Sequence, residues 1–279
     1  MKHETTRMPL LSLLLATALF GAACDDKKEV DPAERHAQLM SQLENAEVRL
    51  RNNKLSDAEE IITRVLGEVP EDARALLCMG RLRFQQGKHK EAEEFLDKSI
   101  AAKGDDPEAH FLRGQVLKHT ERWDEAAASF QKAFELAPER SEFGLQAGES
   151  LNKAEKYAEA EAVLTQVADL DPQSFDENNV GVHTHLADAL RGQNKLDEAL
   201  KMYMKAQNTW DSDKMARAGA AFVYEAKNDP AHAIAEWSAY IQRDAFSEYS
   251  KTVAQKKIME LKVPPTELPP EEGKAEPSG

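Results

Sequence analysis

The sequence predicts an all-α protein built as a solenoid of stacked helix hairpins. Charged residues make up 31% of the 279 residues and aromatic residues only 6%, and the many Ala, Glu, Lys, Leu and Gln residues favour helices over strands. An alanine recurs six times at a nearly constant spacing, with a small residue and a bulky residue at fixed distances from it. Such a fixed period is typical of repeat architectures.

The recurring alanine follows a polar turn in every copy, and its copies are 34, 34, 34, 39 and 34 residues apart. A small residue stands twelve positions before it, and a bulky residue stands four positions after it. The alanines are Ala58, Ala92, Ala126, Ala160, Ala199 and Ala233; the small residues are Ala46, Gly80, Gly114, Gly148, Ala187 and Ala221; the bulky residues are Ile62, Leu96, Phe130, Leu164, Tyr203 and Trp237.

Each unit is predicted to be a hairpin of two helices. The two small residues let the helices approach closely, and the bulky side chain fills the gap beside them. One hairpin cannot bury its apolar face alone, so the six hairpins must stack on one another.

This register resembles the tetratricopeptide repeat, which has a small residue at its eighth position, Ala at its twentieth, a large apolar residue at its twenty-fourth and Pro at its thirty-second. The second unit has Gly104 at that last position, and the last two units have neither proline nor glycine there. The resemblance implies a right-handed superhelix, with repeats at 39–73, 73–106, 107–140, 141–174, 180–213 and 214–247.

Aspartate–proline pairs mark three helix starts, with Asp as the N-cap and Pro as the first helical residue: Asp31-Pro32, Asp106-Pro107 and Asp229-Pro230. The first pair predicts a longer opening helix. Five extra residues at 175–179 (FDENN) account for the spacing of 39 and predict a longer loop or an extra helical turn.

The C-terminal end of the solenoid is predicted to carry a capping helix at about 248–263, in which Val253, Ile258 and Leu261 cover the last hairpin. The solenoid domain would therefore span residues 33–263. Residues 264–279 (PPTELPPEEGKAEPSG) are rich in Pro and Glu, which predicts an extended, disordered tail.

Residues 1–23 have the pattern of a signal peptide. Lys2 and Arg7 precede an apolar run at residues 9–20, which is too short to cross a bilayer of about 30 Å.

The four residues that end this segment, GAAC at 21–24, resemble the lipobox of bacterial lipoproteins, in which cleavage leaves the cysteine first and its thiol carries a lipid. Gly21 stands where that box usually has Leu. The resemblance implies a covalent lipid on Cys24, and the polar residues 24–32 predict a tether. Alternatively, ordinary signal peptidase cuts the same bond and releases a soluble periplasmic or secreted protein, or the segment stays uncleaved as an anchor.

The sequence favours a binding protein over an enzyme. The net charge of −14 disfavours nucleic acid as a partner. The sequence has no glycine-rich phosphate loop, nucleophile elbow, paired zinc cysteines or HExxH helix, so we predict no metal and no cofactor besides the lipid. His183 and His185 are two residues apart and point to different sides of a helix. Cys78 is predicted to be a partly buried free thiol.

In tetratricopeptide domains the first helix of each hairpin lines a concave groove, and the second, fifth, ninth, twelfth and thirteenth positions contact a peptide. Applied to repeats two and three, the resemblance implies eight groove residues: Arg74, Leu77, Arg81, Phe84, Phe111, Gln115, Lys118 and His119. Cationic and aromatic side chains suit a peptide with a carboxylate and an apolar anchor. Alternatively, Phe84 and Phe111 pack between hairpins. Glu149 and Asp188 would make other parts of the groove acidic.

These features together predict a membrane-anchored scaffold or assembly adaptor of the bacterial cell envelope, which binds a protein or peptide partner and faces the periplasm or the exterior. The layout is similar to that of tetratricopeptide lipoproteins that assist envelope machines, such as the pilotins of type IV pili. Neither a small-molecule substrate nor one particular membrane is implied.

Overall fold

The computed structural model describes residues 31–170, 181–209 and 213–262, which form helices and turns without a strand. A π-helix, Ser250–Ala254, precedes the last helix. The α-helices are α1 (Pro32–Arg51), α2 (Leu55–Glu68), α3 (Ala73–Gln85), α4 (His89–Ala102), α5 (Pro107–His119), α6 (Trp123–Leu136), α7 (Ser141–Lys153), α8 (Tyr157–Leu170), α9 (Val182–Gly192), α10 (Leu196–Thr209), α11 (Lys214–Ala226), α12 (Pro230–Arg243) and α13 (Gln255–Lys262). The predicted all-α hairpin architecture is confirmed.

The chain divides into two compact units, residues 1–40 and 41–279. The described part of the first unit is residues 31–40, which contain the opening turns of α1. The second unit contains the helix pairs that follow. The predicted signal peptide at 1–23, Cys24, the five extra residues at 175–179 and the predicted tail at 264–279 lie outside the described residues.

The turn inside each hairpin passes through one residue with a left-handed backbone. These residues are Asn53, Gly87, Glu121, Glu155, Asn194 and Asn228, with φ between 56° and 74°. The next residue donates its N–H to the carbonyl five positions earlier, as Lys88 does to Arg83 at 2.9 Å, and this bond closes the first helix. The sequence pattern predicted a polar turn here but not its left-handed residue, because Glu rarely adopts that conformation.

All three predicted aspartate caps are present. The Asp31 carboxylate accepts the Ala33 N–H at 3.1 Å, before the long helix α1. The Asp106 carboxylate accepts the Glu108 N–H at 3.0 Å, and the Asp229 carboxylate accepts the His232 N–H at 3.2 Å. A proline follows each aspartate as the first helical residue. These caps fix where α5 and α12 begin.

The bulky side chain of the second helix lies directly against a glycine of the first helix in three hairpins. A Cβ atom at Gly114 would lie 2.7 Å from the ring of Phe130, which is fully buried. The bulky residue therefore occupies the space of the missing side chain, rather than a gap beside two small residues. The pairs are Gly80–Leu96, Gly114–Phe130 and Gly148–Leu164.

The C-terminal helix covers the last hairpin. Ile258 and Leu261 pack in the same apolar cluster as Trp237. Ala254 is buried there, while Val253 is partly exposed. The π-helix has wider turns than an α-helix, so the buried face is displaced by one residue from the predicted one.

A shared carboxylate ties this cap to α11 and α12. The Glu225 carboxylate accepts a hydrogen bond from Trp237 Nε1 at 2.7 Å and pairs with Lys257 Nζ at 2.7 Å. The three side chains come from α11, α12 and α13, so the cap is attached by charge as well as by apolar contact.

We predict that Gly114→Ala destabilises the fold, because its methyl group needs the space of the Phe130 ring. Overpacking of this kind costs about 1–3 kcal/mol. Gly67→Ala is the matched control: Gly67 is an exposed helical glycine with nothing within 4 Å of its Cβ direction, and alanine there should add about 0.5–1 kcal/mol. Urea unfolding followed by circular dichroism measures both; equal stability of the two variants would contradict the packing described above.

Candidate functional site

The first helices of successive hairpins form one surface, called here the first-helix face, and the eight predicted groove residues lie on α3 and α5. Two of them fill space between hairpins. Leu77 is buried beside Leu96 in the core. Phe111 is partly buried, with its ring 4.6 Å from that of Phe143. Phe111 therefore packs between hairpins, as the alternative from the sequence has it. Leu77 offers no surface to a ligand.

Three other groove residues are cations, and each is paired with a carboxylate on the first helix of a neighbouring repeat. Such pairs contribute little stability when exposed, about 0–1 kcal/mol, but they leave less charge available for a carboxylate ligand. The pairs are Arg74 with Glu47 (2.9 Å), Arg81 with Glu108 (3.2 Å) and Lys118 with Glu149 (2.6 Å).

Phe84 and His119 are brought together by the structure, and His89 joins them. The Phe84 ring lies 6.0 Å from His119 and 5.7 Å from His89, and the two imidazole rings are 4.5 Å apart. Gln115 is partly buried. The sequence analysis did not include His89 among the groove residues. His89 is the first residue of α4, a second helix, whereas the resemblance implies positions on first helices only.

A cavity of about 390 Å³ opens on the first-helix face of repeats four to six. Side chains of α7, α8, α9 and α11 line it, together with Tyr249, which follows α12. Many of them occupy the same helix positions that defined the predicted groove in repeats two and three. The helix positions that the resemblance implies do line a recess, but in repeats four to six rather than in repeats two and three.

The cavity forms where α11 carries small side chains and other first helices carry large ones. The fifth and sixth positions of α11 are Ala218 and Gly219. In α3 they are Leu77 and Cys78, and in α5 the fifth position is Phe111. The Tyr203 ring fills the space beside Gly219, so the reduced side-chain volume in the cavity lining is that of Ala218 at the fifth position. That position was the signal for the site in the sequence.

One part of the cavity lining, called here the polar wall, has a charged pair, Asp188 and Arg191, that a buried tyrosine holds in place. The Tyr203 hydroxyl donates to Asp188 Oδ1 at 2.5 Å and accepts from Arg191 Nε at 3.2 Å. Arg191 Nη2 lies 3.4 Å from the same aspartate oxygen. Burial, and then the Asp188 carboxylate, raise the pKa of Tyr203 above its ordinary value, so the hydroxyl stays a donor.

Asn152 supplies a second polar feature of the cavity. Its Nδ2 donates to the backbone carbonyl of His185 at 2.8 Å. Its Oδ1 is buried and accepts no hydrogen bond from the described residues. A buried acceptor of this kind is costly until a bound donor or a water satisfies it.

Another part of the lining, called here the apolar wall, is partly open to solvent. Met215 is 57% exposed and Tyr249 is 38% exposed. Phe222 is partly buried, with its ring 4.9 Å from that of Trp237 in an edge-on arrangement. A methionine and two aromatic rings around a recess are typical of binding surfaces.

The remaining candidate groups do not form a reactive site. Cys78 is buried, and burial raises the pKa of its thiol to about 12, with Glu47 adding to the effect. Burial lowers the pKa of His183. Within the described ranges, no three His, Cys, Asp or Glu side chains are placed to share a metal ion. Among the described helices, none is long and apolar enough to span a membrane.

Family comparisons identify the repeats. Models of the tetratricopeptide repeat match residues 49–116, 107–140 and 180–208. The middle match has the bounds predicted for repeat three. No curated protein matches the sequence. The chain therefore carries tetratricopeptide repeats, and its fold is a tetratricopeptide solenoid.

Solved structures agree with this fold. The chain is similar to YrrB, described as a TPR protein with an unusual peptide-binding site, with TM-score 0.58, 22% identity and coverage of 70% of this chain and 97% of YrrB. It is similar to PilF of Pseudomonas aeruginosa, with TM-score 0.61, 16% identity and coverage of 80% and 99%. MamA of Desulfovibrio magneticus RS-1 gives TM-score 0.55, 19% identity and coverage of 63% and 97%.

We predict that Tyr203→Phe destabilises the protein by about 1–3 kcal/mol, because the change leaves Asp188 and Arg191 without the hydroxyl while preserving the ring. Tyr224→Phe is the control, since the Tyr224 hydroxyl makes no hydrogen bond within the described residues, and its free energy of unfolding should stay within about 0.5 kcal/mol. Denaturant unfolding measures both. An unchanged Tyr203→Phe would mean that the hydroxyl does not hold the charged pair.

Proposed function

We propose that this protein is a membrane-anchored interaction scaffold of the bacterial cell envelope that binds a protein or peptide partner in the cavity of repeats four to six. Tetratricopeptide proteins are generally interaction scaffolds rather than enzymes, and this fold presents side chains of several helices to one ligand. The peptide-binding site in the description of YrrB is consistent with a peptide ligand for this chain as well.

The observation that carries the binding role is the combination of an exposed apolar wall and a pre-arranged polar wall. Met215 and Tyr249 leave apolar surface in water, which a ligand side chain would cover. Tyr203 already holds Asp188 and Arg191 in place, so a ligand would not have to order them. Preorganisation of this kind lowers the entropic cost of binding.

The anchor rests on Cys24 and the segment before it. A lipid on this cysteine, followed by the polar residues 24–32, would keep the solenoid close to a membrane on the periplasmic or exterior side. A single acyl chain binds membranes only weakly, and stable anchoring needs more than one; the diacylglyceryl group of bacterial lipoproteins meets that need.

We predict that Met215→Glu reduces partner capture at least about tenfold, because burying a methionine contributes about 1.5–3 kcal/mol and a charge opposes it. Met204→Glu is the matched control, since Met204 is 52% exposed and does not line the cavity. Crosslinking in intact cells, followed by identification and quantification of the captured protein, compares the two variants with the unmodified chain.

The double variant Arg81→Glu with Phe84→Ala tests the alternative surface in repeats two and three. Its capture should equal that of the unmodified chain. Capture lost in this variant but kept in Met215→Glu would reassign the site to those repeats.

We predict that metabolic labelling with a fatty acid marks the unmodified chain and that Cys24→Ala abolishes the label. The label should accompany sedimentation of the protein with membranes. An unlabelled wild-type chain found in the soluble periplasmic fraction would instead support the soluble scaffold without a lipid.

A further inference from the structure

We infer that the cavity of repeats four to six is occupied by the chain's own acidic, proline-rich segment, residues 263–279, until a partner displaces it. The inference rests on the proposal that this cavity is a binding site. Three observations support this occupant: the place where the segment begins, its charge, and the chemistry of the cavity wall.

The helix that precedes the segment reaches a residue of the cavity lining. Lys257 Nζ lies 5.8 Å from the ring centroid of Phe222, which lines the cavity. The described chain ends at Lys262, which is only about 8 Å further along α13. Residues 263–279 would span about 50 Å if extended as polyproline II, so the segment can return across the cavity without strain.

The segment is acidic, whereas the charged side chains of the cavity lining balance one another. The segment contains Glu267, Glu271, Glu272 and Glu276, against one cation, Lys274.

The lining of the cavity carries two carboxylates and two cations, Lys153 and Arg191, in a protein whose net charge is −14. Its two carboxylates are already engaged, Glu149 by Lys118 and Asp188 by Arg191. Lys153 lines the cavity and is exposed. The carboxylates of an acidic segment are attracted to this lysine, whereas most of the protein surface is acidic and repels them.

The apolar wall suits prolines. Proline-rich segments bind in grooves lined by aromatic side chains, because their extended backbone is already ordered before binding. Tyr157, Phe222 and Tyr249 supply three aromatic rings, and Met215 adds an adaptable apolar contact. In the segment, two proline pairs flank the sequence Thr266-Glu267-Leu268, so Leu268 is the one large aliphatic anchor between them.

The test uses the full-length chain with a photoreactive benzoylphenylalanine in place of Met215. The same substitution at Met204 is the control, because the two methionines have similar exposure and only Met215 lines the cavity. After irradiation and trypsin digestion, mass spectrometry searches for a crosslink to the peptide 263–274. Mixing isotopically labelled and unlabelled chains separates crosslinks within one chain from those between chains.

We expect a crosslink to 263–274 within one chain from position 215, several-fold above that from position 204. Replacing Glu271 and Glu272 by Gln, which keeps the tryptic peptide 263–274 intact, should reduce it several-fold. Equal yields from both positions, or no loss in the Gln variant, would overturn the inference. Crosslinks that join labelled to unlabelled chains would overturn it as well, because the segment would then bind a second copy.

The outcome is independent of partner capture. A chain that crosslinks as expected while Met215→Glu still captures its partner supports the inference and contradicts the proposed function. A chain without the crosslink, in which Met215→Glu loses its partner, contradicts the inference and leaves the proposed function standing.

Discussion

The close approach of the two helices in each hairpin is the contact on which the rest of the structure depends. At Gly114 this approach is so tight that the Phe130 ring occupies the space where a side chain would be. An apolar ring without that recess would hold the helices apart. Since every hairpin presents its faces to the next one, the distance set inside a hairpin also sets which side chains of successive first helices can meet.

The same contact explains how far the sequence could predict the fold. Gly114 and Phe130 are only 16 residues apart and repeat with a constant period, so a one-dimensional pattern contains the packing rule. The left-handed backbone at Glu121 and Glu155 was not predictable from residue preference. There the tertiary closure of the hairpin outweighs a local cost of about 1–2 kcal/mol.

The candidate site was harder to predict because it depends on pairings between repeats and on missing volume. Arg81 and Lys118 have the residue types of a carboxylate-binding groove, yet each is engaged by a carboxylate of the next repeat. The cavity instead lies where α11 has Ala218 at the fifth position. A search for reactive or charged side chains does not detect such a place, because alanine has neither kind of group.

On the second helices, charged side chains form ion pairs between successive hairpins. A cation at the start of one second helix pairs with a carboxylate of the preceding one, and the arrangement recurs in three successive steps: Arg122 with Glu93 (2.7 Å), Lys156 with Asp124 (2.8 Å) and Lys195 with Glu161 (2.7 Å). Each exposed pair contributes little. Because a pair of this kind joins each second helix to the next, a hairpin displaced along its neighbour would lose its pair, so the pairs favour one stacking.

Tyr203 connects this packing to the cavity. Its ring belongs to the bulky series that fills the space inside and between hairpins, and it lies against Gly219. Its hydroxyl holds Asp188 and Arg191, which line the cavity. The charged wall is therefore positioned by a residue that the fold itself requires, whereas the apolar wall of Met215 and Tyr249 is left in contact with water. A rigid polar wall and an adaptable apolar wall together let a ligand be oriented by charge and accommodated by shape.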